Sequence, residues 1–368
     1  MMTKRVSVMI VEDSPVAQEL IARALRSDPR LRVSCAVETA ERALGVLRFA
    51  DVDVISMDIR LPGIDGIEAT RRIMEERPTP IVILAADARN DTVKTSMEAL
   101  RAGALAVVKK PAVESAESYG AMARHLCDQF VNLSQVRVVR QRFNGARGDS
   151  GEGRMAAASP LARRARTGPP AGRAAPIEAL AIVASTGGPA AVATVLQGLG
   201  RGLPVPVLVV QHMASEFIEG YASWLDAICA MDVALARDLE APVPGRAYVA
   251  PADRHMIHRA GRLRLIDPQA AGGPVPSADV LLGSLADSLG DRAIGVILTG
   301  MGADGAYGLL EMRRHGARTL GQDRHSSAVY GMPAAARGLG AVEAELPIGA
   351  MADRIRLLLQ AAGSAGAR

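Results

Sequence analysis

The chain has 368 residues, 49% hydrophobic and 22% charged, the mix of a soluble globular protein long enough for two or three domains with cores of their own. Its apolar runs, such as 203–210 and 293–298, fall far short of the roughly 18–20 residues of a membrane span, and 1–8 lacks an export-signal pattern. The net charge of +4 points to nucleic acid only until it is located: 140–175 holds eight arginines against Asp149 and Glu152, +6 in one segment, which leaves −2 for the rest. One Trp, five Tyr and four Phe make a poor base-stacking platform, so nucleic acid is not an expected partner. Cys35, Cys127 and Cys229 are far apart and odd in number, which gives neither a disulfide framework nor a zinc pattern and fits a reducing cytoplasm.

The first 136 residues alternate strand-like and helix-like segments. Residues 6–11 read as a strand and 15–26 as a helix with Val16, Leu20, Ile21 and Leu25 on one face. Then follow strands at 31–37, 52–57, 81–84 and 104–108, with helices at 41–49, 66–76, 92–102 and about 119–136. Five βα units in series predict a parallel sheet covered on both faces. Ligands of such sheets sit outside the carboxyl ends of the strands. Glu12 and Asp13 end the first strand, Asp58 the third, and Lys110, followed by Pro111, the fifth.

Clustered carboxylates repel, and a hard divalent cation such as Mg²⁺ relieves that repulsion through oxygen ligands. A carboxylate beside it can take a phosphoryl group as an acyl phosphate, with Lys110 balancing the added charge. Each acid taken singly reads better as a helix cap or loop residue; the joint pattern at three strand ends carries the chemistry. Glu12-Asp13-Ser14, the run from Met57-Asp58 through Pro62-Gly63 to Asp65-Gly66, and Lys110-Pro111 resemble the receiver domain of bacterial response regulators over about residues 4–126. The resemblance implies a flavodoxin-like (βα)5 fold, Asp58 as phosphoryl acceptor, Glu12, Asp13 and Asp58 around Mg²⁺, Lys110 against the phosphoryl group, and a histidine kinase as phosphodonor. Ala85 stands where receivers usually carry Ser or Thr, and Val107 where they carry Phe or Tyr.

Residues 141–176 are rich in Gly, Ala, Arg and Pro without hydrophobic period, as in a flexible basic linker. The βα rhythm returns at 177, with strand-like runs at 179–184, 205–210 and 293–299 and a helical pattern at 190–197. Between the last two runs, 232–273 reads as short β pieces and turns, with strands at 246–250 and 262–266.

Ser185-Thr186-Gly187-Gly188-Pro189 follows the first of these runs, His212 the second and Asp304 the third, so three strand ends bring a hydroxyl, an imidazole and a carboxylate to one edge. That set is the nucleophile, base and orienter of acyl transfer. The residues alone also admit a phosphate-cradling turn at Ser-Thr-Gly-Gly, a structural His212, and an Asp304 that caps the helix beginning near Tyr307. His255 and His258 lack the nearby acids that would complete a metal site, and Gly-x-Ser-x-Gly is absent.

Ala184-Ser185-Thr186-Gly187-Gly188-Pro189, Gln211-His212-Met213, the run from Ala250-Pro251 to His255-Met256, Leu298-Thr299-Gly300-Met301-Gly302 with Asp304-Gly305, and Gly331-Met332-Pro333 resemble the chemotaxis protein-glutamate methylesterase family over about 177–360. Val183, Ala303 and Val275 stand where that family usually has Gly, Asn and Arg. The resemblance implies a doubly wound parallel-sheet serine hydrolase that needs no cofactor. It would cleave glutamate γ-methyl esters on methylated chemoreceptor helices, releasing methanol, and deamidate receptor glutamines. Ser185 would be nucleophile, His212 base and Asp304 orienter, with Thr186 and the backbone N–H groups of His212 and Met301 as oxyanion donors.

The expected plan is α/β throughout: a receiver at 4–126, a helix end and linker at 127–176, and a catalytic domain at 177–365, in a cytoplasmic protein not inserted in membrane. A silent scaffold of the same fold and a small-ester hydrolase are the alternatives. No helix-turn-helix follows the linker to favour a transcription factor.

Overall fold

A computed structural model describes residues 5–85, 90–111, 116–136, 138 and 176–366; the linker expected at 141–176 lies, but for its last residue, outside the described residues. The first half runs β1 (Val6–Val11), α1 (Pro15–Arg26), β2 (Leu31–Val37), α2 (Ala40–Leu47), β3 (Val54–Asp58), α3 (Gly66–Glu76), β4 (Ile81–Ala85), α4 (Asn90–Arg101), β5 (Ala106–Lys109) and α5 (Ala116–Leu133). Every residue of β1, β3 and β4 is buried, as expected of strands covered on both faces, whereas β2 at the edge alternates. Ser14, Thr39 and Asp65 start α1, α2 and α3 by accepting the N–H groups of Ala17, Arg42 and Glu68. The strands pair in parallel in the order β2-β1-β3-β4-β5, so the order reverses between β1 and β3.

The second half runs β6 (Ala179–Ala184), α6 (Gly188–Leu199), β7 (Val207–Gln211), α7 (Ser215–Ile228), β8 (Asp232–Leu235), β9 (Arg246–Val249), β10 (His255–Arg259), β11 (Arg262–Ile266), α8 (Ala278–Leu289), β12 (Ala293–Ile297), α9 (Ala306–Arg314), β13 (Arg318–Gln322), α10 (Met332–Gly338), β14 (Ala344–Leu346) and α11 (Ile348–Gly366). Seven strands form one parallel sheet, β14-β13-β12-β6-β7-β9-β8, with β6 at its centre. The Pro- and Gly-rich stretch holds more order than its composition suggests. Its strands β8 and β9 extend the main sheet, and β10 and β11 form an antiparallel hairpin. That hairpin turns on Ala260 (φ 50°) and Gly261 (φ 72°), a two-residue loop with both residues left-handed.

The two halves touch. Helix α4 packs on α6 and α7, and Leu100, Ala104 and Ala191 belong to one continuous apolar cluster. No helix among the described residues is long and apolar enough to cross a membrane.

Candidate active site and acidic site

At the reversal of the first sheet, Glu12 and Asp58 are nearly buried, 1% and 7% exposed, and Asp13 is exposed. Carboxylate oxygens of the three lie within 4.8 Å of one another. Lys110 Nζ stands 2.8 Å from Glu12 Oε2 and 2.7 Å from Asp58 Oδ2. Burial pushes the Glu12 carboxyl above its ordinary value, against the pull of Lys110. Burial opposes the charge on Lys110, but its contacts with Asp58 and Glu12 outweigh that and raise it. Glu12 Oε2 is buried and faces the Lys110 ammonium. Three carboxylates whose hard oxygen donors gather so closely fit a cation such as Mg²⁺. The backbone is tight here as well: a Cβ on Gly66 would stand 2.0 Å from the Asp58 carbonyl oxygen, so only glycine lets α3 begin beside the acid.

In the second sheet, Ser185 follows β6, His212 follows β7, and Asp304 lies in the loop after β12, on the three central strands. Ser185 is held through its backbone. Its N–H donates to Thr299 O at 3.0 Å, and its carbonyl accepts from Gly188 N–H at 2.8 Å and from Gln211 Nε2 at 2.7 Å. A Cβ on Gly188 would lie 2.1 Å from Gln211 Oε1, so the glycine allows this cross-brace. Gln211 Nε2 also donates to His212 O at 2.9 Å.

His212 Nε2 meets Asp304 Oδ2 at 2.9 Å, which leaves Nδ1 for another partner. Ser185 and His212 line one cavity of about 470 Å³, and Ser185 forms no hydrogen bond to His212 among the described residues. Asp304 accepts four donors: Ser277 Oγ (2.8 Å) and Asp279 N–H (3.0 Å) on Oδ1, and Ala278 N–H (2.7 Å) and His212 on Oδ2. Burial alone would raise this carboxyl, but these donors, His212 foremost, hold it below its ordinary value. The helix it caps is therefore α8, not the one near Tyr307: α9 follows Gly305, and its first turn is capped by Asp279 Oδ1, which accepts the Gly308 N–H at 2.7 Å.

Of the expected oxyanion donors, one is corrected. The His212 N–H is spent on Ala184 O at 3.0 Å, because His212 prolongs the β6–β7 ladder by one residue. Thr186 is buried and its hydroxyl donates to Gln129 Oε1 at 3.4 Å, while Met301 Sδ lies 2.6 Å from Asn132 Nδ2. Gln129 and Asn132 belong to α5, and Val107, Val108, Lys109 and Met122 line the Ser185 cavity from the same half. Lys109 Nζ pairs with Glu216 Oε1 of α7 at 3.5 Å. The first half thus roofs the serine.

His255 and His258 do not form a metal cluster. The only group of three or more potential ligands among the described residues is Glu12, Asp13 and Asp58. Sequence reasoning missed Gln211, Ser277 and Asp279. Only their neighbours in space give them roles, although Gln211 stands beside His212 and Ser277 heads an apolar helix.

The model of the CheB methylesterase family matches residues 180–355, and that of the response regulator receiver domain matches 8–117. A protein-glutamate methylesterase/protein-glutamine glutaminase of Paramagnetospirillum magneticum is 44% identical over 96% of this chain and 98% of its own. One of Syntrophus aciditrophicus is 40% identical over 98% and 99%. The solved CheB methylesterase catalytic domain of Thermotoga maritima is 31% identical, with a TM-score of 0.47 over 50% of this chain and 98% of that one.

Proposed function

We propose, from the premise that this chain belongs to the CheB methylesterase family and carries a receiver domain, a mechanism in which Ser185 is the nucleophile of a phosphorylation-regulated protein-glutamate methylesterase. The enzyme hydrolyses glutamate γ-methyl esters on chemoreceptors and, as a glutaminase, deamidates receptor glutamines. The observation that carries the residue roles is the His212–Asp304 hydrogen bond of 2.9 Å beside Ser185 in one cavity.

Ser185 Oγ attacks the ester carbonyl carbon while its proton passes to His212 Nδ1. Asp304, kept ionised by its four donors, fixes the ring through Nε2 and balances the imidazolium. The tetrahedral oxyanion draws on the Met301 N–H and on Thr186, each preorganised donor worth about 3 kcal/mol. Collapse breaks the C–OCH₃ bond, and His212 returns the proton, so methanol leaves. Water then attacks the acyl-serine by the same path and frees the glutamate. For a glutamine the leaving group is ammonia.

Asp58 takes the phosphoryl group from a chemotaxis histidine kinase: its carboxylate oxygen attacks phosphorus as the P–N bond of the donor breaks. Mg²⁺ held by Glu12, Asp13 and Asp58 would supply positive charge to the phosphoryl oxygens there, and Lys110 supplies more. In the arrangement described, α5 and β5 cover Ser185, and that supports a repressed unphosphorylated state.

The test is methanol release from methylated receptor membranes by the wild type and by Ser185→Ala. Loss of at least about a thousandfold in the variant is expected. Release that survives the substitution would overturn the serine mechanism.

A further inference from the structure

Asp304 is held by more than the base it orients. Ser277 is 2% exposed, and its Oγ accepts from Val280 N–H at 3.3 Å and lies 2.8 Å from Asp304 Oδ1. A carboxylate only accepts, so the one hydroxyl proton points at Asp304. Behind Ser277 stands His255, fully buried. Its Nδ1 accepts from Ser277 N–H at 3.0 Å, and its Nε2 lies 3.2 Å from Pro268 O. An amide N–H only donates and a carbonyl only accepts. The two contacts therefore demand the same neutral tautomer, with the proton on Nε2.

We propose that Ser277 and His255 are positioning residues for the hydrolysis: His255 fixes the backbone of Ser277, and Ser277 fixes Asp304 so that Oδ2 faces His212. This rests on the roles proposed for Ser185, His212 and Asp304. The chain Pro268–His255–Ser277–Asp304–His212 ties the hairpin β10–β11 and the start of α8 to the base. It gives the buried histidine a use that neither a metal nor apolar packing supplies. A mere N-cap at Ser277 would support α8 without touching the rate.

The experiment measures kcat and KM for methanol release from methylated receptor membranes with the full chain, alongside urea unfolding midpoints. Ser277→Ala lowers kcat about 10- to 100-fold with KM within about twofold, the expected loss for a hydrogen bond to a charged group. Ser277→Thr, which keeps the hydroxyl, recovers kcat to within about threefold of the wild type. His255→Asn, whose amide oxygen stands near the Nδ1 position, loses less than His255→Phe, which has no acceptor. A kcat for Ser277→Ala within twofold of the wild type, or one that falls only with the folded fraction, overturns the proposal. Ser185→Ala in parallel separates the two levels. Release that survives it overturns the mechanism and this proposal together; release lost in Ser185→Ala but kept in Ser277→Ala overturns this proposal alone.

Discussion

Gln211 is 1% exposed and spends its amide nitrogen on two carbonyls, Ser185 O and His212 O. One side chain thus ties together the loops that carry the proposed nucleophile and base. Gln211→Glu keeps the volume but turns a donor into an oxygen facing two oxygens. We expect it to cost about 2–3 kcal/mol of stability and to lower kcat at least about tenfold, read from urea midpoints and methanol release. Asp304 gives a pH-dependent counterpart. Its carboxyl is depressed below 3.8, so the stability it lends is present above that value and fades as pH falls through its folded one. Asp304→Asn is therefore expected to lower the unfolding midpoint most near neutral pH, with the two curves converging as pH falls below the ordinary carboxylate range. A gap that stays constant from neutral pH down through the carboxylate range would mean that ionisation of Asp304 contributes nothing.

Helix α5 presents Gln129 and Asn132, three residues apart, to Thr186 and Met301. Each is a neutral contact worth about 1 kcal/mol. The pair Gln129→Ala and Asn132→Ala should raise the rate of the unphosphorylated enzyme up to about tenfold and leave the phosphorylated rate unchanged. Lys109–Glu216, with side chains 46% and 34% exposed, is worth at most about 1 kcal/mol after solvent screening, so Lys109→Ala alone should change the basal rate little. These elements were legible in the sequence to different degrees, for physical reasons. Strands such as 6–11 and 179–184 are continuous apolar runs because both faces are covered, and the structure starts and ends them at those residues. The strand at 205–210 starts instead at Val207, after Pro206, whose nitrogen has no hydrogen to donate. Of the hairpin β10–β11 the strand at 262–266 was legible, but its partner β10 escaped notice because the turn uses Ala260-Gly261 instead of the Asn-Gly or Asp-Gly that signals such loops. At the site, Ser185, His212 and Asp304 stand at strand ends, where topology alone gathers them. Asp304's hold on α8 is a tertiary contact 25 to 27 residues away in sequence, beyond any local pattern.

At the scale of the whole molecule, size decides access. A helix with side chains is about 10 Å across and rises 5.4 Å per turn, so each turn fills on the order of 400 Å³. The Ser185 cavity of about 470 Å³ has room for one turn, and a receptor helix is far longer. We expect a methylated glutamate in a helix to reach Ser185 when α5 and β5 move off. The acidic site is wired to that roof by one peptide bond: Lys110 holds Glu12 and Asp58, while its neighbour Lys109 pairs with Glu216. With Ala85 buried at the end of β4 and Val107 in the cavity wall, no hydroxyl and no aromatic ring is available at those positions, and we expect β5, which joins Lys110 to the cavity wall, to carry the signal. A phosphoryl group adds up to about two negative charges beside Lys110, and it opens the roof only by its differential free energy for the two arrangements. An acyl-phosphate donor with Mg²⁺ should raise methanol release from receptor membranes about two- to tenfold and turnover of a small soluble ester by clearly less, because a small ester already fits and gains only the freed Thr186 hydroxyl. Chelation of Mg²⁺ or Asp58→Asn should abolish the increase. Equal stimulation of both substrates would show that phosphorylation acts on the catalytic groups themselves and not on the roof above them.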